Sequence, residues 1–464
     1  MISTVTRMFR GFVGFVGFIV SRARLRTILA ALVVAAALVA GPTAFEQLFS
    51  GHDVLMLTLQ APIGELIAHV NSHDDPRVDG LAAVDGDRPV AVKVSTRGNT
   101  SSDECAFPKL KLEIDHEPDT GPFADLHVLK IGTHCGEAPD NQLTRKYGRL
   151  ANENSPLREA FIYRLLAILG VPTLRARPAR ITYVDTDARM PLVRSAMLLE
   201  DDDAAKKRLD ARDSIAPAAF RGALKTFSTA DLATVLFAEA MIGNFDWCLQ
   251  LTPTDAYRCD SDKKLWNVLA LRRDKGQAVP LIYDFDLAGM VTGRHHWFST
   301  VFDASFVTPP SGIDVEVLAQ VQRTRSILGR ADLDQARRRF ASRKDEAFRA
   351  LRDAALDDEG ARLIGTYLTS FFRAISDDAF YVPVVTREGT RVFLDAAATQ
   401  AACGSHSTAP VGTVVGPRLQ ERGGMVQVRL LDVQWRWTGP ARCDAVRRYP
   451  VWIARGAVEA DFPK

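Results

Sequence analysis

Hydrophobic and polar residues follow two different spacings along this chain, and together they predict a mixture of strands and helices. Alternation of apolar and polar residues predicts strands at 89–97 and 108–114. Short apolar runs predict further strands at 126–131, 179–185, 192–200, 264–271 and 279–285, and residues 54–70 predict a strand followed by a short helix. Helical spacing predicts helices at 156–169 and 228–243, a run of helices over 313–375, and short β segments over the last 80 residues or so.

Capping and turn residues predict where two of these elements begin or end. Ser155 is the expected N-cap of the helix at 156–169, Pro156 follows in its first turn, and Gly170 ends it. The acidic run DDD (201–203) predicts a turn that leads into a polar connector ending at about residue 226.

The first 45 residues differ in composition from the rest. Five arginines precede the first carboxylate, Glu46, and 19 uncharged residues span 27–45. About 20 apolar residues in a helix can cross a bilayer core of about 30 Å, and the positive flank predicts that the rest of the chain lies outside the cytoplasm. A signal peptide cleaved near Ala40 or Ala44 fits the same pattern, so a membrane anchor and a signal peptide both stay open.

Composition and charge narrow the class of protein. The 464 residues are 47% hydrophobic and 25% charged, which is typical of a soluble globular chain of two or three domains and excludes a disordered, a collagen-like or a polytopic membrane protein. The formal net charge of +2 gives no support to nucleic-acid binding.

The six cysteines indicate an oxidising compartment. They fall into sequence-local pairs, Cys105 with Cys135, Cys248 with Cys259 and Cys403 with Cys443. An even count in an exported chain predicts disulfides, although six cysteines allow about 15 pairings, and buried free thiols are the alternative. No spacing of cysteine and histidine resembles a zinc site.

Three segments in one region carry the residue types of a phosphoryl-transfer site. They are GNFDW (243–247), LWNVL (265–269) and PLIYDFDLAG (280–289). In such sites one carboxylate accepts the proton of the attacking hydroxyl, while an asparagine and a second carboxylate hold Mg²⁺. A lysine on a strand and a glutamate on a helix complete the set, and the chain offers Lys109 or Lys111 and then Glu159 in that order. Both lysines lie on one face of their strand, so alternation does not choose between them.

At these residues the sequence resembles the spore-coat CotH kinase family, whose members are protein-kinase-like. The resemblance covers roughly residues 54–350. It rests on RGNTS (97–101) with FPKLKLEI (107–114), on PLREAFIYRLLAILGVPTLRARPARITYV (156–184), and on LVRSAMLLED (192–201). Two departures stand out, because Asp246 and Asn267 are 21 residues apart and no glycine-rich nucleotide loop is evident beyond RGNTS.

The resemblance implies a role for each matching residue. Asp246 is the catalytic base, Lys109 or Lys111 meets phosphate, and Glu159 holds that lysine. The metal ligands are Asn267 and Asp284, with Asp286 as a helper. Arg97 lies near the phosphates, and Glu200 with its neighbouring backbone faces adenine. The implied cofactors are ATP and Mg²⁺ or Mn²⁺.

The C-terminal segment resembles a bacterial Src-homology-three-like barrel, a module that often binds cell-wall peptides. VQVRLLDVQWRW (426–437) and YPVWIARGAVEADF (449–462) carry that resemblance. The predicted fold is therefore α+β, a two-lobed atypical kinase-like domain and then a small β-barrel. The predicted domains are 1–45 as signal peptide or anchor, 46–380 as the kinase-like domain (N-lobe about 50–200, C-lobe about 227–380), and 385–464 as the barrel.

The function predicted from these residues is phosphoryl transfer to a hydroxyl acceptor outside the cytoplasm, in the periplasm or cell envelope. The alternative is a catalytically inactive kinase-like scaffold that binds envelope partners. The expected partners are a protein substrate or envelope protein, a cell-wall peptide at the C-terminal segment, and the membrane through the N-terminal helix, with no nucleic acid.

Overall fold

The structure is a computed structural model. It describes residues 43–68, 76–98, 105–114, 121–124, 126–135, 153–186, 191–251, 264–293, 310–381, 384–385, 387, 389–404, 407–409, 415, 418–428, 430 and 450–459. The first of these ranges opens with helix α1 (Ala44–Ser50), which Thr43 and Glu46 begin as a capping box. Most of the predicted apolar run at 27–45 lies outside the described residues. Within the described ranges, no helix combines the length and hydropathy that crossing a bilayer requires.

Seven strands close into one barrel. They are β1 (Leu55–Ala61), β2 (Arg77–Val84), β3 (Val90–Arg97), β4 (Lys109–Ile114), β5 (Val128–Gly132), β6 (Ala176–Asp185) and β7 (Leu192–Leu199). The order around the barrel is β1-β2-β3-β4-β5-β7-β6. A parallel pairing of β1 with β6 closes it, and the other neighbours are antiparallel.

Alternation along each strand fills the barrel. In β4, for example, Leu110, Leu112 and Ile114 belong to the buried barrel core, which places Lys109 and Lys111 together on the outer face. The predicted strands are confirmed here, including the pairing of β6 with β7. The closure was not predicted, because it depends on β1 meeting β6, which lies far along the chain.

One long helix follows β5, and a short one, α2 (Ile63–Ala68), follows β1. The long helix, α3 (Ser155–Ile168), confirms the predicted helix but corrects its N-cap. Asn154 is the N-cap and Ser155 is the first helical residue. Gly170 ends the segment in a left-handed conformation (φ 72°) that favours glycine.

The acidic run after β7 is a helix start rather than the expected turn. Asp201 is the N-cap of α4 (Asp202–Arg208), and its side chain accepts a hydrogen bond from the Asp203 backbone N–H at 3.0 Å. Acidic residues in the first turn and basic residues in the last turn both complement the helix dipole.

Helices dominate the region from 223 to 380. They are α5 (Ala223–Thr226), α6 (Thr229–Ile242), α7 (Gly289–Thr292), α8 (Pro310–Arg323), α9 (Arg330–Ser342), α10 (Lys344–Arg352), α11 (Asp358–Ala374) and α12 (Asp377–Phe380). Strand β8 (Asp213–Ser214) precedes these helices, and short strands interrupt them at β9 (Cys248–Leu249), β10 (Leu265–Trp266), β11 (Val268–Arg272) and β12 (Val279–Ile282). These elements share a second hydrophobic core with α3, separate from that of the barrel.

The C-terminal segment has a third, smaller core. Its described strands are β13 (Val384–Val385), β14 (Thr390–Arg391), β15 (Thr408–Ala409), β16 (Gln420–Arg422), β17 (Met425–Val428), β18 (Val451–Ala454) and β19 (Val458–Glu459). In the described part they form three small sheets, β13-β19, β14-β15 and β16-β17-β18. The Src-homology-three-like resemblance stays a prediction.

One predicted disulfide is confirmed. Cys105 is bonded to Cys135 and so joins the start of β4 to the end of β5. Cys248 and Cys403 are also disulfide-bonded, while their predicted partners, Cys259 and Cys443, lie outside the described residues. The Cys105–Cys135 disulfide is compatible with an oxidising compartment.

Candidate active site

The first site residue lies in a turn at the end of α6. Gly243 ends this helix at φ 64°, and a side chain there would run into the buried ring of Tyr367. In the turn that follows, the Asn244 side-chain oxygen accepts a hydrogen bond from the Asp246 backbone N–H at 3.0 Å. Such a turn fixes the backbone at Asp246. The buried Trp247 anchors the turn, because its indole N–H donates to the Asn244 carbonyl at 3.1 Å.

A short antiparallel pair brings Asn267 to Asp246 despite the 21-residue separation. β9 and β10 pair Cys248 with Trp266, so the residues next to these two lie side by side. The Asn267 amide nitrogen then donates to the Asp246 carbonyl at 2.6 Å and to its carboxylate at 3.2 Å. The unusual spacing that the sequence shows therefore does not separate the two residues.

Asp284 and Asp286 lie just after β12 and are held against α3. The Asp284 backbone N–H donates to the Tyr163 hydroxyl at 2.9 Å, and the Phe285 N–H donates to the Glu159 carboxylate at 3.2 Å. The rings of Tyr163 and Phe285 pack with centroids 4.8 Å apart, and both are buried. Two backbone hydrogen bonds and one ring contact thus fix the segment on the helix.

Two site residues hold a left-handed backbone that is uncommon outside glycine. Asn267 has φ 55° and Asp284 has φ 64°. A non-glycine residue in this region costs on the order of 1–3 kcal/mol unless the surroundings hold it, and asparagine and aspartate tolerate it best.

Lys109 is the lysine that reaches the acidic residues. Its ammonium nitrogen lies 2.5 Å from an Asp284 oxygen and 2.9 Å from an Asp286 oxygen, and its side chain is 11% exposed. Lys111, two residues along β4, pairs instead with Glu113 at 2.7 Å. The structure therefore brings Lys109, and not Lys111, into contact with these acidic residues.

We call the residues that meet around Lys109 the acidic cluster, and in it carboxyl groups outnumber ammonium groups. Its residues are Lys109, Glu159, Asp246, Asn267, Asp284 and Asp286. Burial raises the pKa of Asp246 to about 7, with Asp286 and Asp284 adding to the effect. Burial also raises the pKa of Glu159 to about 8 against the opposing field of Lys109.

Burial and the ion pairs together set the direction of the pKa shifts of Asp284, Lys109 and Asp286. For Asp284, burial favours the neutral acid, but the charge and hydrogen bond of Lys109 outweigh it and lower the pKa. For Lys109 itself, burial opposes the charge, while Asp284 and Asp286 outweigh burial and raise the pKa. The Asp286 pKa is raised, chiefly by burial. The result is an ammonium between two carboxylates, with two further acids nearby.

Glu159 was expected to hold the lysine, but its carboxylate makes its hydrogen bond elsewhere. Lys109 makes its direct ion pairs with Asp284 and Asp286, while the Glu159 carboxylate accepts the Phe285 N–H. Glu159 still acts on Lys109 electrostatically and favours its charged form. It is therefore a positioning residue for the 284–286 segment.

Arg97 lies beside the acidic cluster, whereas the Glu200 carboxylate is occupied. Arg97 is the cross-strand partner of Lys109 and favours the ionised form of Asp284. The buried Glu200 side chain accepts from Arg208 at 2.6 and 2.9 Å and from the Arg175 backbone N–H. A contact between adenine and the backbone near Glu200 stays a prediction.

Sequence analysis missed three residues that support the site. Tyr163 holds the Asp284 N–H, Asn244 holds the Asp246 N–H, and the Trp266 indole N–H donates to the Asp246 carboxylate at 3.2 Å. The NFD and LWN segments contain two of them, so adjacency to the predicted residues was an available signal. Tyr163 gave no such signal, because it lies on an apolar helix four residues beyond Glu159.

The donor set suits a hard divalent cation. Asp284 and Asp286 supply carboxylate oxygens, and Asn267 supplies an amide oxygen, which are ligands that Mg²⁺ accepts. Among the described residues, no group of three or more His, Cys, Asp and Glu side chains is arranged as a metal site. In the structure Lys109 neutralises both carboxylates.

Comparison with solved structures finds a similar protein, whereas comparisons with protein families and with curated proteins find none. No protein-family model matches the chain, and no curated protein matches it. Among solved structures the chain is similar to the crystal structure of a Helicobacter pylori proinflammatory kinase, CtkA, with 11% sequence identity and a TM-score of 0.30. That match covers 59% of this chain and 90% of that chain.

Proposed function

We propose that the acidic cluster is the active site of a phosphotransferase that moves the γ-phosphoryl group of ATP to a hydroxyl acceptor. The observation that carries this proposal is the convergence on one point of a strand lysine, two aspartates that follow a strand, and an aspartate–asparagine pair. Phosphoryl transfer needs these residue types, because positioning and charge neutralisation supply most of its rate.

Asp246 is the proposed general base. It accepts the proton of the acceptor hydroxyl while the hydroxyl oxygen bonds to the γ-phosphorus, and the bond from that phosphorus to the bridging oxygen of ADP breaks. A pKa of about 7 suits this role, because the carboxylate is partly ionised at neutral pH and still basic. Asn267 and Trp266 orient the carboxylate through their N–H donors.

Lys109 and Arg97 are the proposed phosphate-facing cations. Lys109 is held at the site by two carboxylates, and Arg97 lies opposite it on β3. Asp284, Asp286 and the Asn267 oxygen would hold Mg²⁺ or Mn²⁺, which neutralises phosphate charge when bound. Glu159 and Tyr163 hold the backbone of the 284–286 segment in place.

The proposed setting is the cell envelope, with a protein as the hydroxyl-bearing substrate. The N-terminal arginines and apolar run favour export, and the Cys105–Cys135 disulfide is compatible with it. The C-terminal segment is proposed to bind a cell-wall peptide or an envelope partner.

Nucleotide binding by the full chain tests the proposal. A thermal-shift titration with ATP and Mg²⁺ or Mn²⁺ should show metal-dependent stabilisation, which amounts to about 2.7 kcal/mol at 100 times the dissociation constant. Asp284→Ala should abolish the shift. Asp87→Asn, a change in the exposed turn between β2 and β3, is the matched control and should retain it.

The two outcomes separate the phosphotransferase from the scaffold alternative. A metal-dependent shift that Asp284→Ala removes is expected for the enzyme and justifies a search for phosphorylated acceptors. No shift with any nucleotide, or an equal shift in Asp284→Ala, would contradict the proposed site and favour a binding protein.

A further inference from the structure

A second candidate site lies against α3 and contains none of the residues of the acidic cluster. A cavity of about 540 Å³ opens where α1, α3, the start of β6 and the 354–356 link meet. Cavities of this volume are typical of small-molecule sites. Most of its wall is apolar, with Phe49, Leu157, Phe161, Ile168 and Leu356 among the lining residues.

Two arginines give this apolar cavity a positive charge that no direct ion pair balances among the described residues. Arg164 and Arg175 line it, and neither has a carboxylate within ion-pair distance in the described part of the chain. The Arg164 Nε–H is buried and has no hydrogen-bond partner among the residues that the structure describes. An unsatisfied buried donor of a charged group is costly, so its presence beside a cavity indicates a site for an acceptor.

The remaining charges do not cancel this excess. Arg343 also lines the cavity, but it pairs with Glu346 at 2.9 Å. Glu46 is engaged in the α1 capping box. Burial and the neighbouring Arg164 lower the pKa of His52, which disfavours its charged form. Burial likewise lowers the pKa of both Arg164 and Arg175. The fields of Asp353 at Arg164 and of Glu200 and Glu46 at Arg175 oppose this shift only in part.

We propose that this cavity binds a small amphipathic anion, an alkyl chain that ends in a carboxylate or a phosphate monoester. The guanidinium groups of Arg164 and Arg175 hold the head through charge-assisted hydrogen bonds, for which arginine geometry is well suited. The alkyl chain lies against the apolar wall that α1 and α3 provide. The segment 1–42 is a poor occupant, because it contains five arginines and no carboxylate side chain.

The bound anion also touches the support of the acidic cluster. Tyr163 lines the cavity, and its hydroxyl accepts the hydrogen bond of the Asp284 N–H. Occupancy therefore restrains the residue that positions Asp284. This consequence does not require the proposed phosphotransferase activity.

Isothermal titration calorimetry on the full chain tests the site with four probes of equal chain length. Octanoate and octyl phosphate should bind saturably, whereas octanol and octyltrimethylammonium should bind at least about tenfold more weakly. Arg164→Gln and Arg175→Gln should each weaken anion binding about tenfold or more, because each removes charge-assisted hydrogen bonds. Arg180→Gln, an exposed change on β6, is the matched control and should not alter it.

Two further measurements keep the test decisive. Ala167→Trp places a large side chain at an exposed helix position on the cavity rim, keeps both arginines, and should also abolish binding. Hydrogen exchange with bound anion should slow in α3 and in 280–289 and not in β17 of the C-terminal segment. Absence of binding, equal affinity for all four probes, or anion binding unchanged in both arginine variants and in Ala167→Trp would overturn the proposal.

Discussion

Two buried cations lie at α3, and each is paired with two carboxylates, but the charges around the two pairs differ. Arg158 extends from α3 towards α11, where its guanidinium donates to both Asp357 oxygens at 3.0 and 2.6 Å, to Glu359 at 3.2 Å and to the Val291 carbonyl at 3.0 Å. Lys109 extends from β4 to the 284–286 segment that α3 holds, where it meets Asp284 and Asp286.

The difference lies in the surrounding charge. The Arg158 site matches its donors to acceptors and lowers the pKa of Asp357 despite some burial of that carboxyl. The acidic cluster instead retains Glu159 and Asp246 with raised pKa values beside its single ammonium. A fully bonded cation is typical of structural joints, whereas unbalanced acids are typical of sites that bind or transfer a charged group.

Arg158→Met should show the largest effect on stability. It leaves Asp357 without its bidentate partner inside the joint between α3 and α11, and breaking a buried pair in this way costs about 3–5 kcal/mol. Urea denaturation measures the loss. Arg349→Met, an exposed arginine on α10, is the control and should change stability by less than about 0.5 kcal/mol. A loss under about 1 kcal/mol for Arg158→Met would contradict a structural role.

Lys109→Met should cost somewhat less, and divalent cations should restore part of the loss. The change leaves Asp284 and Asp286 unpaired, at about 2–4 kcal/mol. Mg²⁺ can then neutralise the two carboxylates, so the variant should gain more stability from Mg²⁺ than the parent chain does. Arg158→Met serves as the control, because Asp357 and Glu359 are not part of the proposed metal site. Equal responses to Mg²⁺ in both variants would remove the distinction between the two regions.

Asp246→Asn should stabilise the protein at high pH. A carboxyl whose pKa rises from 3.8 to about 7 on folding holds its proton more tightly in the folded state, so it reduces stability as pH rises between these values. Removing the charge should therefore raise the free energy of unfolding by about 2–4 kcal/mol at pH 8 and by about 1–2 kcal/mol at pH 5, because pH 5 already lies above the unfolded pKa. Urea denaturation at both pH values measures this difference, and Asp87→Asn is the control. A variant that is less stable at pH 8 than the parent chain would refute the assignment.

Local patterns predicted much of this architecture and the order of the site residues. The strands at β3 and β4 follow from alternation, and α3 and α6 from their apolar runs and flanking signals. Barrel closure was not predictable in this way, because the pairing of β1 with β6 joins distant segments.

For the site, too, the sequence predicted individual residues but not the tertiary contacts between them. Asp246, Asn267 and Asp284 were predicted from residue type and order, and the structure brings them together with Lys109. Neither the contact of Tyr163 with Asp284 nor the occupation of Glu200 by Arg208 follows from spacing, since both are tertiary contacts.

The smallest effect is expected for a change at Lys111, the second of the two lysines that alternation placed on one face of β4. Lys111 shares its strand face with Lys109, but it pairs with Glu113, and both side chains are more than a quarter exposed. A partly exposed pair of this kind contributes about 0–1 kcal/mol. Lys111→Met should therefore change the free energy of unfolding by less than about 1 kcal/mol and leave the shift with ATP and Mg²⁺ intact.

Lys109→Met provides the matched comparison in the same two assays, since it makes the same substitution two residues away. It should lose both stability and the nucleotide shift. Loss of the shift in Lys111→Met with its retention in Lys109→Met would reassign the phosphate-facing lysine. The acidic cluster would then be a structural joint like that of Arg158, because its ammonium would have no role in nucleotide binding.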